Sequence, residues 1–213
     1  MNEVLKIRYE KLGPKVVSAL EKKGFEAYYC TDKDDALSKV LALIPETASV
    51  AYGGSLTLNA LHVKETLRQR GNHLIDRDLA SDIETRTALE HEAFTSDYFL
   101  MSSNAISEDG QLVNIDGIGN RVGALIYGPK HVIIISGMNK VVKTLEDAYG
   151  RARNIAAPSN IQRFPKNQTP CNLTGACADC NSADCICNQI VVTRRSNPPK
   201  RIKVILIGEE IGL

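Results

Sequence analysis

Five cysteines fall within 17 positions near the end of the chain: Cys171, Cys177, Cys180, Cys185 and Cys187, in the pattern C-x5-C-x2-C-x4-C-x-C. Thiolates bind Zn²⁺ or iron, and a C-x2-C pair lets two sulfurs reach one metal. The spacing matches neither the double knuckle of a zinc ribbon nor the bacterial ferredoxin run. It differs by one residue from the plant-type C-x4-C-x2-C, so an iron–sulfur cluster and Zn both remain open as cofactor. The alternative is a set of reduced, unligated thiols. Disulfides are disfavoured, because a stapled secreted fold spreads its cysteines along the chain, and here only Cys30 stands apart.

A second constellation is Ala51-Tyr52-Gly53-Gly54-Ser55-Leu56-Thr57, a strand, a glycine turn and a helix start. Backbone N–H groups at such a junction attract anions, and glycines let a phosphate or carboxylate come close. Ser55 and Thr57 offer hydroxyl donors. The P-loop lysine is missing, and the same residues equally make a tight turn with Ser55 as helix N-cap.

A third is the polar, glycine-rich stretch holding Asn104, Asn114, Asp116, Gly117, Gly119, Asn120 and Arg121. Arg121 can pair bidentately with a carboxylate or phosphate, and Asp116 can orient it or a substrate hydroxyl. Hairpin stabilisation by Asn and Asp explains the same residues. Lys140 can help neutralise an anion. Asp116, Arg121 and Glu209 are candidate catalytic groups by residue type, Glu209 because it follows the last strand. G-x-S-x-G and H-E-x-x-H are absent, and His62, His73, His91 and His131 show no metal spacing.

The elements that must position these groups alternate between strand and helix. Helical periodicity covers 2–23, with Gly13-Pro14 expected to break or kink it. Strands are expected at Glu26–Cys30, Ser49–Tyr52, His73–Ile75, Tyr98–Met101, Leu112–Asp116 (after the turn Glu108-Asp109-Gly110), Val132–Ser136, Gln189–Arg194 and Ile202–Ile207. Helices are expected at 33–43 with Thr31 as N-cap, at 56–70, at 81–93, and from Asn139-Lys140 to about Ile155. This is the pattern of an α/β fold: a largely parallel sheet flanked by helices. From Pro158 to Asn188 periodicity vanishes, and a bound metal would organise that stretch. Residues 1–160 therefore read as an α/β domain. Residues 161–213 read as a cysteine-rich extension with C-terminal strands packed on the same domain.

The chain has 213 residues, 43% apolar, no Trp and a formal net charge of +1. That balance provides no global field for nucleic acid or anionic lipid. No stretch resembles a signal peptide or a membrane span, so a cytoplasmic location is expected. A homo-oligomer is compatible with everything above.

The stretches GGSLTL (53–58), NAISEDGQLVNIDGIGNRVGALIYGPK (104–130), SGMNKVVKTLEDAYGRARNIAAPSN (136–160) and PCNLTGACADCNSADCICN (170–188) resemble the LUD-domain family, which includes the lactate utilisation protein C group. The resemblance spans nearly the whole chain. It implies a fold like that of the glucosamine-6-phosphate deaminase, ribose-5-phosphate isomerase and coenzyme A transferase superfamily, with the Gly53–Ser55 turn where such folds bind anions. It also implies four metal ligands, Cys171, Cys177, Cys180 and Cys187. Cys185 is an additional candidate, at a position where a basic residue is more usual. The simpler lactate utilisation C proteins lack this tail.

Three functions follow as expectations. The first is an accessory role in lactate or related 2-hydroxy acid utilisation beside iron–sulfur redox proteins. The second is an enzyme or binder for a small anionic ligand, phosphorylated or coenzyme A-linked. The third is a non-catalytic interaction module folded by its metal.

Overall fold

The computed structural model describes residues 2–213. In chain order, α1 (Glu3–Lys22), β1 (Glu26–Cys30), α2 (Lys33–Leu43), β2 (Ser49–Tyr52), α3 (Leu56–Ala60), α4 (Val63–Gln69), β3 (His73–Ile75) and α5 (Ile83–Glu92) make the first part. They are followed by β4 (Tyr98–Met101), β5 (Ala105–Ser107), β6 (Leu112–Asp116), α6 (Asn120–Ile126), β7 (His131–Gly137) and β8 (Val141–Val142). The last elements are α7 (Leu145–Arg151), α8 (Ala157–Ile161), α9 (Pro170–Thr174), β9 (Gln189–Thr193) and β10 (Ile202–Ile207).

Six strands form one parallel sheet in the order β1-β10-β7-β4-β2-β3. The last strand of the chain is thus internal, between β1 and β7. A smaller sheet, β8-β5-β6-β9, pairs β5 with β8 in parallel and β6 antiparallel to both β5 and β9. The two strands that follow the cysteine-rich segment therefore pack on the preceding chain: β9 on β6 and β10 in the main sheet.

Strand alternation divides the core. Val132, Ile134, Val204 and Leu206 face α1 and α6 with Val16, Leu20 and Leu125. Ile133, Ile135, Ile205 and Ile207 face the other helix layer with Val40, Leu58 and Leu67. Each such fully buried aliphatic side chain contributes about 1.5–3 kcal/mol. Strands buried on both faces favour apolar residues at successive positions, which is why β7 carries Val132–Ile135 and β10 carries Val204–Ile207 as aliphatic runs, while Lys203 is paired with Glu26 at 2.6 Å.

Four local expectations change. Helix α1 runs straight through Pro14. Pro14 is exposed, so the one missing N–H falls on the solvent side, while Tyr9, Val16 and Leu20 anchor the other side. Asp32 rather than Thr31 caps α2, accepting from the N–H groups of Asp34 (3.0 Å) and Asp35 (2.9 Å). The helix expected at 56–70 is two, parted at His62, whose φ is 52°. The helix expected from Asn139 starts at Leu145, where Thr144 and Asp147 form a capping box. Asn139 and Lys140 lie instead in a 3₁₀ turn, Met138–Lys140, that carries Lys140 inward.

Candidate functional site

A cavity of about 470 Å³ opens beside the carboxyl ends of β2 and β4, between the two sheets. This is the side on which open parallel sheets bind ligands. Its first wall is the turn after β2. A Cβ on Gly53 would lie 2.8 Å from both Cγ and Cδ of Arg121, so only a glycine lets the arginine stem stand there. Ser55 Oγ accepts from Leu58 N at 3.3 Å and caps α3. The turn is therefore both a helix cap and a cavity wall.

The second wall comes from the polar stretch. Arg121 donates through Nη1 to Asn114 Oδ1 (2.8 Å) and Ser102 O (3.2 Å). Through Nη2 it donates to Ile115 O (2.6 Å) and Asn104 Oδ1 (3.2 Å). Its Nε is 3.6 Å from Asp116 Oδ2. Asp116 also accepts from Gly117 N (2.8 Å) and Val122 N (3.1 Å), fastening the start of α6, whose N-cap Gly119 has no side chain to offer. Burial lowers the Arg121 pKa, Asp116 opposes that shift and Arg77 adds to it.

Of the anion-binding residues expected from sequence, Gly53, Gly54, Ser55, Asn104, Asp116, Asn120 and Arg121 line the cavity. Thr57, Asn114 and Lys140 stand behind its wall: all three are buried, and Lys140 Nζ lies 2.9 Å from Thr57 Oγ1. Burial, then Arg151 and Arg121, bring Lys140 down to about 7. Glu209 is elsewhere. Its Oε2 accepts from Lys33 N at 3.2 Å at the start of α2, outside the cavity lining. It is a helix cap, because β10 ends beside α2.

Several residues in the cavity carry no sequence signal of their own. Arg77 and Asp78, just after β3, reach it together with Lys64, Arg86, Glu90 and Arg163. Arg77 Nη1 donates to Glu90 Oε1 at 2.6 Å, and Arg86 Nε is 3.4 Å from the same oxygen. Lys64 donates to Asp78 Oδ2 at 3.2 Å and sits over the Tyr52 ring. Tyr52 donates to Asp76, and burial together with that carboxylate raises its pKa. Five cations (Lys64, Arg77, Arg86, Arg121 and Arg163) face three carboxylates (Asp78, Glu90 and Asp116). The position of Asp76-Arg77-Asp78 immediately after a strand was the one available clue.

The cysteines form a separate place. Cys171, Cys177, Cys180, Cys185 and Cys187 all line a pocket of about 80 Å³ beside α8. Cys187 is pushed up to about 12 by burial and by its Cys185 and Cys171 neighbours. Cys177 is lowered, chiefly by a backbone hydrogen bond at Asp179, with Arg153 Nη2 3.5 Å from its sulfur. All five thiols are free, and no three His, Cys, Asp or Glu side chains converge as a metal-holding group among the described residues. Cys30 is buried in the core, away from this pocket. No helix among the described residues is long and apolar enough to cross a membrane.

One similar solved structure is a DUF162 family protein from Deinococcus radiodurans, with a TM-score of 0.55 and 11% identity over 93% of this chain and 97% of that one. At that identity the likeness concerns the fold. Comparison with curated proteins gave no match. The LUD domain matches residues 14–207, nearly the whole chain, and the protein belongs to the LUD-domain family.

Proposed function

We propose that the protein binds a small anionic metabolite, phosphorylated or coenzyme A-linked, in the cavity beside β2 and β4. The observation that carries this reading is the surplus of cationic side chains around about 470 Å³ of space at the carboxyl ends of parallel strands. That volume suits a ligand of drug size and is several times what lactate alone would fill. Thermal unfolding with inorganic phosphate, coenzyme A and lactate tests it. A ligand at 100 times its Kd adds about 2.7 kcal/mol of stability. Failure of all three to raise the melting temperature overturns the reading, as does a shift that survives unchanged in a combined Arg77→Ala, Arg163→Ala variant.

The thiol pocket favours a second reading, an accessory role in lactate or related 2-hydroxy acid utilisation beside iron–sulfur partners. Thiolates are donors for an iron–sulfur cluster or Zn. Cys171, Cys177, Cys180 and Cys187, with Cys185 in reserve, would hold it, and a bound cation would relieve the mutual repulsion felt at Cys187. Protein purified without oxygen should carry iron and sulfide in stoichiometric amount. Zinc in their place supports a purely structural tail, and the absence of both metals overturns the reading.

A further inference from the structure

We propose that Ser102 and Lys140 form a nucleophile–base pair that opens an ester or thioester carbonyl bound in the main cavity. The proposal deepens the anion-binding reading by naming a reaction at the same place. Ser102 follows the carboxyl end of β4 and lines the cavity. Its Oγ is 3.0 Å from Lys140 Nζ, within reach for proton transfer. Thr57 Oγ1 holds the amine from the other side at 2.9 Å. Ser102 reaches the cavity, whereas Thr57 and Lys140 do not, so the serine is the group a substrate meets.

The amine is built in. Lys140 is 3% exposed and pairs with no carboxylate among the described residues. The charged groups facing it are Arg151 from α7 and Arg121 from α6, both disfavouring its protonation. Near-neutral titration of the amine, at about 7, supports a base that is half unprotonated at neutral pH. Gly212 closes the site: a Cβ there would come within 2.9 Å of Nζ. Its backbone, at φ +70°, therefore lies directly across the amine.

A buried lysine held by two hydroxyls and no anion is a poor structural choice, because burying an uncompensated charge is costly. It is a good choice for a base. As Ser102 Oγ attacks the carbonyl carbon, its proton passes to Lys140 Nζ and the C–O bond forms. The bond to the thiol or alcohol breaks, and the leaving group takes the proton back from Lys140. Water then attacks the acyl-serine with Lys140 again accepting a proton. The proton returns to Ser102, and a carboxylic acid and a thiol or alcohol are released.

The test uses the whole chain and an uncharged fluorophosphonate probe with mass mapping, so it does not depend on the anion site. One adduct on Ser102 is expected, absent in Ser102→Ala. Labelling should rise with pH through about 7 and level above it. Lys140→Met should lower the rate about 100-fold and abolish that rise. If Lys140→Met does not fold, the adduct position and the wild-type pH profile decide. No adduct, an adduct elsewhere, a pH-independent rate, or an unchanged rate in folded Lys140→Met overturns the pair. Labelling at Ser102 without any phosphate or coenzyme A binding would sustain the pair and refute only the anion site.

Discussion

Arg121 gives the sharpest test of whether the polar stretch is scaffold or ligand clamp. Its side chain is 14% exposed and donates to four acceptors at 2.6–3.2 Å, with Asp116 at 3.6 Å. Arg121→Met keeps the stem and removes every donor. Asn104 keeps its bond from Ile115 N (2.9 Å), but Asn114 Oδ1 loses its partner, and Asp116 loses its opposite charge. A buried acceptor left unpaired costs about 1–3 kcal/mol, and removal of one member of a buried ion pair about 3–5. These losses overlap and do not add. The expected destabilisation is about 3–5 kcal/mol, read from urea unfolding with the m-value unchanged. For a chain of this size that is a fall in Tm of about 6–20 °C. Arg121→Lys should recover part of it, since an ammonium has three donors but no planar fork. A loss below about 1 kcal/mol would refute the scaffold argument, because four bonds seen in the folded state would then count for nothing.

Gly13→Ala should destabilise by about 1–3 kcal/mol, because its Cβ would run into the Tyr29 ring; Gly150→Ala, with open space around it in α7, should instead stabilise by about 0.5–1 kcal/mol in the same melts. Asp97 is lowered to about 2 by Lys130 and Ser49, from an ordinary value of 3.8. Its contribution is therefore present above pH 3.8 and lost as pH falls toward 2; Asp97→Asn should flatten that acid limb, and an unchanged limb would contradict the assignment. Arg77→Lys keeps the charge but loses the planar guanidinium that Glu90 holds through one bond at 2.6 Å, so it should weaken coenzyme A binding about tenfold by calorimetry if one charge-assisted bond to the ligand is lost with it. Chelation should lower the melting temperature if Cys171, Cys177, Cys180 and Cys187 hold a metal, and an identical melt after exhaustive chelation would count against ligation.

Strands were the legible part of this sequence. Val132–Ile135 and Val204–Ile207 are aliphatic at every position, and a strand buried on both faces favours that. Helix starts were legible where a side chain caps them, as at Ser55, and misread where the cap is remote or competes with a neighbour. Thr31 and Asp32 both suit an N-cap, and the choice falls to Asp32 because its carboxylate accepts two N–H groups. Helix α6 begins at a glycine with φ 92° and takes its side-chain acceptor from Asp116, across the turn. No local rule finds such a start. Asn139 and Lys140 looked like a helix opening, but their side chains are committed elsewhere: Asn139 Oδ1 accepts from Ile211 N at 3.2 Å, and Lys140 bonds Thr57 and Ser102.

The cavity was half legible for a related reason. Gly53–Ser55 and Asn104–Arg121 announce themselves by composition, yet six of the eight charged side chains around the ligand space come from residues that look like solvated surface. Arg77 follows β3, Glu90 lies on α5 and Arg163 follows α8. They meet because β2 lies between β3 and β4, which brings the loop after β3 beside the turn after β2. Their roles are also unequal, which composition cannot reveal. Arg121 is consumed by backbone and asparagine oxygens, Arg77 and Arg86 share Glu90, and Lys64 is paired with Asp78. Arg163 has the neutral Asn160 oxygen and the Phe164 ring as partners and no carboxylate among the described residues. An incoming anion therefore competes least at Arg163, then at Arg77 and Arg86, which share Glu90 closely and Asp78 at 4.0 Å, where Lys64 competes for the same carboxylate. The residue most conspicuous in the sequence, Arg121, is the one with least left to give.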